Sequence, residues 1–209
     1  MTGPERTLAA GLAAVLLLAP LPFGAVEGWA GGALAGCCLL LGALWVVWRG
    51  ATGGTPLPWR EPVLIAGAAF LLYALFQVLP LPRHTLLWLS PETVALRDSL
   101  GAAGAGAPGA SAAGVALSLY PAATWRAALR FAGFLVVALV AADLAGRPRG
   151  RRWLVGALAA GGGFQAIYGL TEFVTGRQQI FGYVKQHYTD VATGTFINRN
   201  HFAGYLEMT

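Results

Sequence analysis

Long apolar runs alternate with short polar turns along this chain. An α-helix rises about 1.5 Å per residue, so roughly 20 apolar residues span the hydrocarbon core of a bilayer. Five runs reach or approach that length: Thr7–Phe23, Gly28–Trp48, Val63–Leu81, Arg126–Ala145 and Trp153–Val174. The first is short and carries Pro20 and Pro22 at its end, so it is expected to tilt or break there. A polar stretch follows the fifth run, and Phe202-Ala203-Gly204-Tyr205-Leu206 turns apolar again, which predicts a sixth span starting near residue 200. The pattern predicts an all-α, polytopic integral membrane protein, one multi-helix domain without a sheet, since unpaired strands cannot satisfy their backbone in lipid. Residues 82–124 and 175–199 are then the two substantial loops between spans.

Composition narrows the class further. The 209 residues are 56% hydrophobic and only 11% charged, with a mean hydropathy of +0.61. Soluble domains carry about 25% charged residues, so this chain cannot cover a globule with a solvated surface, and it is too apolar to stay unfolded in water. Thr7–Phe23 behind Arg6 has the look of a secretory signal peptide, but no A-x-A site follows and Glu5 offsets the single base, which favours an uncleaved first helix. Leu34-Ala35-Gly36-Cys37 imitates a lipoprotein cleavage box, yet the apolar run continues through Cys38 to Leu41, so the two cysteines are expected inside a helix. Adjacent cysteines on a helix point in different directions and do not form a disulfide.

Charge placement sets the expected orientation. With the N-terminus inside, the inner turns hold Arg6, Arg49, Arg60, Arg147, Arg149, Arg151 and Arg152, and the outer segments hold Arg83, Arg97, Arg126, Arg130, Arg177, Lys185 and Arg199. The counts tie, but the inner set crowds into short turns, above all Arg147-Pro148-Arg149-Gly150-Arg151-Arg152, and short loops decide orientation. In the first outer segment, Leu86–Leu89 with Trp88 reads as an interfacial helix, and Ser90-Pro91-Glu92 as the start of a second one with Ser90 as N-cap. Gly101–Gly114 reads as a flexible connector; its formal G-x-G-x-x-G at Gly104, Gly106 and Gly109 lacks the flanking strand and helix that a nucleotide site needs. Gly28, Gly32 and Gly36 line one face of the second span, where a partner helix can approach closely. Gly161-Gly162-Gly163 loosens the fifth span or allows a kink or close packing there.

Chemistry in such a chain is sought where charge meets the membrane. Arg126 and Arg130, four apart, share a helix face at the outer start of the fourth span; their guanidiniums suit a phosphate or diphosphate, or simply snorkel to lipid headgroups. Glu172 either pairs with an outer arginine or reaches water, and Asp143, beside the arginine-rich turn, reads as structural. The densest polar cluster is Asn198-Arg199-Asn200-His201, within Gly194–Met208, where the outer loop re-enters the membrane. Helix capping by Asn198 or Asn200 is its plain account. His84 and His187 show no ligand spacing with His201, so no metal is expected, and neither a Ser-His-Asp arrangement nor a nucleic-acid module is present.

At this cluster the sequence becomes recognisable. Gly194–Met208, GTFINRNHFAGYLEM, resembles the signature of the O-antigen ligase family of bacterial polyprenyl-linked polysaccharide ligases and polymerases. Pro20–Ala30, PLPFGAVEGWA, and Ser118–Leu129, SLYPAATWRAAL, are similar to two further stretches of that family and occur in the expected order. The resemblance implies a bacterial inner-membrane enzyme of roughly a dozen helices. Its members transfer a glycan from undecaprenyl diphosphate to an acceptor hydroxyl on the periplasmic face, without metal or cofactor. The acceptor is the lipid A core for a ligase and another lipid-linked repeat for a polymerase. Guanidiniums would stabilise the leaving diphosphate and a histidine would take the acceptor's proton. In that family the catalytic Arg and His are associated with a large periplasmic loop later in the chain, expected downstream of residue 209, so the chain reads as an N-terminal portion that is inactive alone. Asn198, Arg199, Asn200 and His201, with Arg126 and Arg130, are accordingly expected to bind substrate or shape the site. Two other classes compete: a transporter of the same lipid-linked glycans, disfavoured because the span centres are almost free of charge, and a pure membrane anchor.

Overall fold

The computed structural model describes residues 2–53, 62–102, 110–111 and 114–209. These are mostly helical: α1 (Gly3–Leu18), α2 (Gly28–Thr52), α3 (Pro62–Phe76), α4 (Arg83–Leu89), α5 (Pro91–Ala102), α6 (Pro121–Ala145), α7 (Pro148–Thr175) and α8 (Arg199–Glu207). Three of them, α2, α6 and α7, with 25, 25 and 28 residues, are long and apolar enough to cross a membrane. Leu40, Val47, Phe134, Val155, Ile167 and Val174 on these helices are all more than half exposed. A surface of large aliphatic and aromatic side chains fits a hydrocarbon solvent better than water.

Several elements differ from the apolar runs. The first helix ends at Leu18, not Phe23, because Pro20 and Pro22 cannot extend it; a 3₁₀ turn, Phe23–Ala25, follows. The third ends at Phe76, and Pro80–Leu81 forms a strand (β1) instead. The fourth begins at Pro121 and the fifth at Pro148, each with proline on its first turn, so Arg149, Arg151 and Arg152 belong to α7 rather than to a connecting turn. The expectation of no sheet is also corrected, since short strands occur outside the long helices. Ala110–Ser111 (β2) and Gly114–Ala116 (β3) join β1 in the order β1-β3-β2, all antiparallel, while Gln179–Ile180 (β4) and Tyr183–Val184 (β5) form a hairpin. Hydrogen bonding within such hairpins satisfies a few backbone groups locally, which hydropathy cannot register. Arg60, the larger part of the Gly101–Gly114 run and the glycine motif within it lie outside the described residues.

The chain divides into two compact units, Met1–Thr55 with Gly133–Thr209, and Pro56–Ala132. In the first, α1 packs along α7 and against α2, burying Leu8, Ala9, Leu12 and Ala13. One end of this unit is tied by charge. Arg49 Nη1 lies 2.8 Å from Asp143 Oδ1, Trp45 Nε1 donates to Asp143 Oδ2 at 2.8 Å, and Arg147 reaches Asp143 at 3.4 Å and Glu5 at 3.6 Å. Arg49 also sits over the Trp45 ring and Arg147 over the Trp48 ring. The start of α1, the ends of α2 and α6 and the start of α7 therefore meet here, so α1 and α7 run one way and α2 and α6 the other.

Close approach of α2 and α6 does not use the glycine stripe. Gly28, Gly32 and Gly36 face open space, whereas Gly133 sits on Ala35 and Cys38, and a Cβ on Gly42 would overlap Val136. Ala35, Cys38 and Gly42 form a second small-residue face, and that face continues to Trp45 and its hydrogen bond with Asp143. Spacing alone shows both faces; the polar contact at the helix end selects one.

The second unit has its own framework. Ser90 precedes Pro91 at the start of α5, and its Oγ pairs with Thr93 Oγ1 at 2.8 Å. Arg97, nearly buried, donates to the carbonyls of Ala116 at 3.1 Å and Ser118 at 2.6 Å, which fastens β3 and the following turn to α5. On the surface, Arg83 makes a bidentate contact with Asp98, at 2.9 and 2.7 Å.

Candidate functional site

On α7, Gln165, Gly169 and Glu172 recur at helical spacing and all three are buried. A buried carboxylate needs a partner. Glu172 meets neither an outer arginine nor open water: Lys185 Nζ lies 2.6 Å from its Oε1, with the two side chains 2% and 3% exposed. The same ammonium donates to the Val191 carbonyl at 3.2 Å and to Thr193 Oγ1 at 3.0 Å, and the Thr193 N–H donates to Glu172 Oε2 at 3.4 Å. One ion pair thus fixes both the segment after β5 and the segment that leads into Gly194–Met208. Lysine reaches this point because β4 and β5 fold back on α7, where the Phe181 N–H donates to Tyr168 Oη at 2.7 Å and the two rings pack 5.5 Å apart.

Two turns toward the middle of α7, Gln165 bonds the Gly194–Met208 segment directly. Its Oε1 accepts the Thr195 N–H at 3.0 Å, and its Nε2 donates to Thr195 Oγ1 at 2.7 Å. That hydroxyl in turn donates to the Pro20 carbonyl at 2.8 Å, across 175 positions of sequence. Thr193, Thr195 and Phe196 are buried. Gly194 between them holds φ +56° with Phe202 and Gln165 packed where a Cβ would go, so only glycine fits. Gly24, at φ +69°, lies against the Phe196 ring in the same way. Three glycines of α7 accommodate α8 and the residue at its end: Gly161 meets Tyr205, Gly162 meets Thr209 and Gly169 meets Phe202. Of the alternatives left open for Gly161-Gly162-Gly163, close packing is the one realised, since α7 is continuous through it.

Asn198 is the N-cap of α8, and its side chain accepts the Asn200 N–H at 2.8 Å. His201, on the first turn of the capped helix, lines an open cleft of about 570 Å³ together with Val26, His187, Tyr188, Ile197 and Asn198. Arg199 is exposed and lies 5.6 Å over the Tyr188 ring; Asn200 is exposed beside it. His187 was visible in the sequence only as a histidine without ligand spacing, Lys185 only as one of the outer basic residues, and Tyr188 carried no signal of its own; the fold of the loop brings them in. Among the described residues no group of three His, Cys, Asp or Glu side chains converges as a metal site.

Backbone strain gathers here as well. Phe23, Ala25, Phe181 and Tyr188 all have left-handed φ, between 53° and 58°, and all lie in this loop region or the turn packed on it. Such conformations cost of order 1–3 kcal/mol each and persist only where surrounding contacts over-determine them. Phe23 is held by an edge contact with Tyr183 at 5.3 Å.

Arg126 and Arg130 belong to the second unit. Arg126 is exposed and stacks 5.7 Å over the Tyr120 ring, and Arg130 is half-buried. The turn before them is local: Ser118 Oγ pairs with Thr124 Oγ1 at 2.7 Å and accepts the Tyr120 N–H at 3.2 Å. Against known proteins, no family model, no curated protein and no solved structure matches this chain.

Proposed function

We propose that the protein is a polytopic bacterial inner-membrane glycosyltransferase of the O-antigen ligase type, with its N-terminus inside. It spans the membrane with α1, α2, α3, α6 and α7, and α8 begins a sixth span. Its activity is the transfer of a glycan from undecaprenyl diphosphate to a hydroxyl of the lipid A core on the periplasmic face. The observation that carries this reading is the docking of Pro20–Ala30 onto Gly194–Met208. Two segments that independently resemble the family meet through Thr195 and the Pro20 carbonyl, and through Gly24 and Phe196. Together they border the cleft that holds His187, Asn198 and His201. A purely structural anchor has no use for a strained cleft lined by two histidines and an asparagine.

In this reading Arg199 and Asn198 bind the donor, the guanidinium facing diphosphate oxygens whose charge grows as the glycan leaves. Asn200 and His201 complete the binding surface, Arg126 and Arg130 are two further guanidiniums suited to phosphate on the second unit, and the catalytic groups are left unassigned. Orientation is supported by the gathering of Arg6, Arg49, Arg147, Arg149, Arg151 and Arg152 at one end of the first unit, opposite in direction along α7 to the cleft.

The test is a deletion of the gene in its host, complemented by wild-type or Arg199→Ala protein. A ligase leaves lipid A core uncapped and long lipid-linked polymer accumulated, and Arg199→Ala fails to restore capping. Single repeats on the core would instead make it the polymerase of the same superfamily. An unchanged surface glycan in the deletion strain refutes both, and lipid-linked glycan trapped on the inner face would indicate a transporter.

A further inference from the structure

The end of the first unit remote from the cleft carries an unbalanced charge. Six arginines, Arg6, Arg49, Arg147, Arg149, Arg151 and Arg152, face two carboxylates, Glu5 and Asp143, among the described residues. Arg49 and Arg147 take those carboxylates. Arg149, Arg151 and Arg152 are exposed among the first five residues of α7, and Arg6 is exposed on the first turn of α1, which runs alongside in the same direction. Orientation needs charge only in the turn; it does not need that charge beside a particular surface.

That surface is a groove between α1 and α7 of about 390 Å³, walled by Ala13, Leu17, Gly156, Ala157 and Ala160, with Arg152 and Trp153 at its charged end. Arg152, Gly156 and Ala160 recur every four residues, so the guanidinium sits directly at the head of an apolar channel. Arg149 lies three residues before Arg152 on the same face. Trp153 is about half exposed there, in the manner of an aromatic side chain at a membrane–water boundary. An amphipathic ligand with an anionic head and an aliphatic tail matches both halves.

We propose that this groove holds an anionic diacyl phospholipid, its phosphate on Arg149 and Arg152 with Arg151 adjacent, and one acyl chain running past Gly156 between α1 and α7. The site is separate from the cleft and does not depend on the glycosyltransferase reading. A basic side chain near a lipid headgroup is worth about 1 kcal/mol, or about five-fold in affinity.

Full-length protein purified in neutral detergent is titrated with phosphatidylglycerol and with phosphatidylcholine of the same acyl chains, and bound lipid is counted by native mass spectrometry. Wild-type protein retains phosphatidylglycerol preferentially. Arg149→Gln with Arg152→Gln lowers that preference by about five-fold per arginine, and the corresponding lysine pair restores most of it. Gly156→Leu, whose added side chain enters open space, reduces retention of both lipids while thermal unfolding shows the fold intact. Equal retention of the two lipids by wild-type protein, or retention unchanged in the glutamine pair or in Gly156→Leu, overturns the proposal.

Discussion

Removing the ammonium of Lys185 should damage the protein far more than removing the whole ion pair. At 2.6 Å and an effective dielectric constant near 20, the direct attraction between Lys185 and Glu172 is about 6 kcal/mol. Taking each ion out of water costs several kcal/mol, so the intact pair contributes little net stability. Lys185→Met leaves the Glu172 carboxylate buried without its cation, and it strips a donor from the Val191 carbonyl and Thr193 Oγ1. The expected loss is about 3–5 kcal/mol, which for a chain of this size corresponds to roughly 6–20 °C in apparent Tm. The double variant Glu172→Leu with Lys185→Met replaces both charges with apolar volume and should recover most of that loss. Thermal unfolding in detergent reads the difference, and hydrogen exchange across residues 191–196 reads whether that segment is released. If the single variant is no less stable than the double, the pair is not buried as described and the reasoning fails.

Gly194→Ala should cost at least about 2 kcal/mol, combining left-handed strain with displacement of the Phe202 ring; Gly36→Ala, in open space on α2, should be neutral or slightly stabilising by the same thermal assay. Asp143→Ala leaves Arg49 and Arg147 without their shared carboxylate and Trp45 without its acceptor, and should lower stability by about 2–4 kcal/mol. Two hydrogen bonds from Arg83 hold the Asp98 carboxyl below its ordinary range, so the contact between α4 and α5 is intact above that range and weakens as pH falls through the depressed value. Both side chains are exposed, so the effect is small. Arg83→Gln should abolish this acid dependence, as followed by the Asp98 carboxyl resonance in an NMR titration.

How far the site could be read from sequence varies by residue. Asn198 was legible as an N-cap because capping is local, decided within three residues. The Pro20–Pro22 break was legible because proline forbids helix wherever it stands. His187 and Lys185 were not legible, because their role arises only when the β4–β5 hairpin returns them to α7. Glu172 shows the limit most plainly. Its charge marked it as a residue in need of a partner, and the nearest pattern pointed to arginine or water; the lysine lies 13 positions later along a loop whose path no periodicity records.

By itself, the sequence determined the apolar helices, their punctuation by proline and glycine, and the crowding of arginine into short segments. Each follows from backbone sterics or from transfer into lipid, which act on a residue and its immediate neighbours. Tertiary structure alone decided which small-residue face of α2 packs, that Pro20–Ala30 and Gly194–Met208 meet, and that Glu172 is neutralised by Lys185. Those outcomes depend on satisfying buried polar groups across distant parts of the chain, and several partners are possible until the helices pack and leave one within reach.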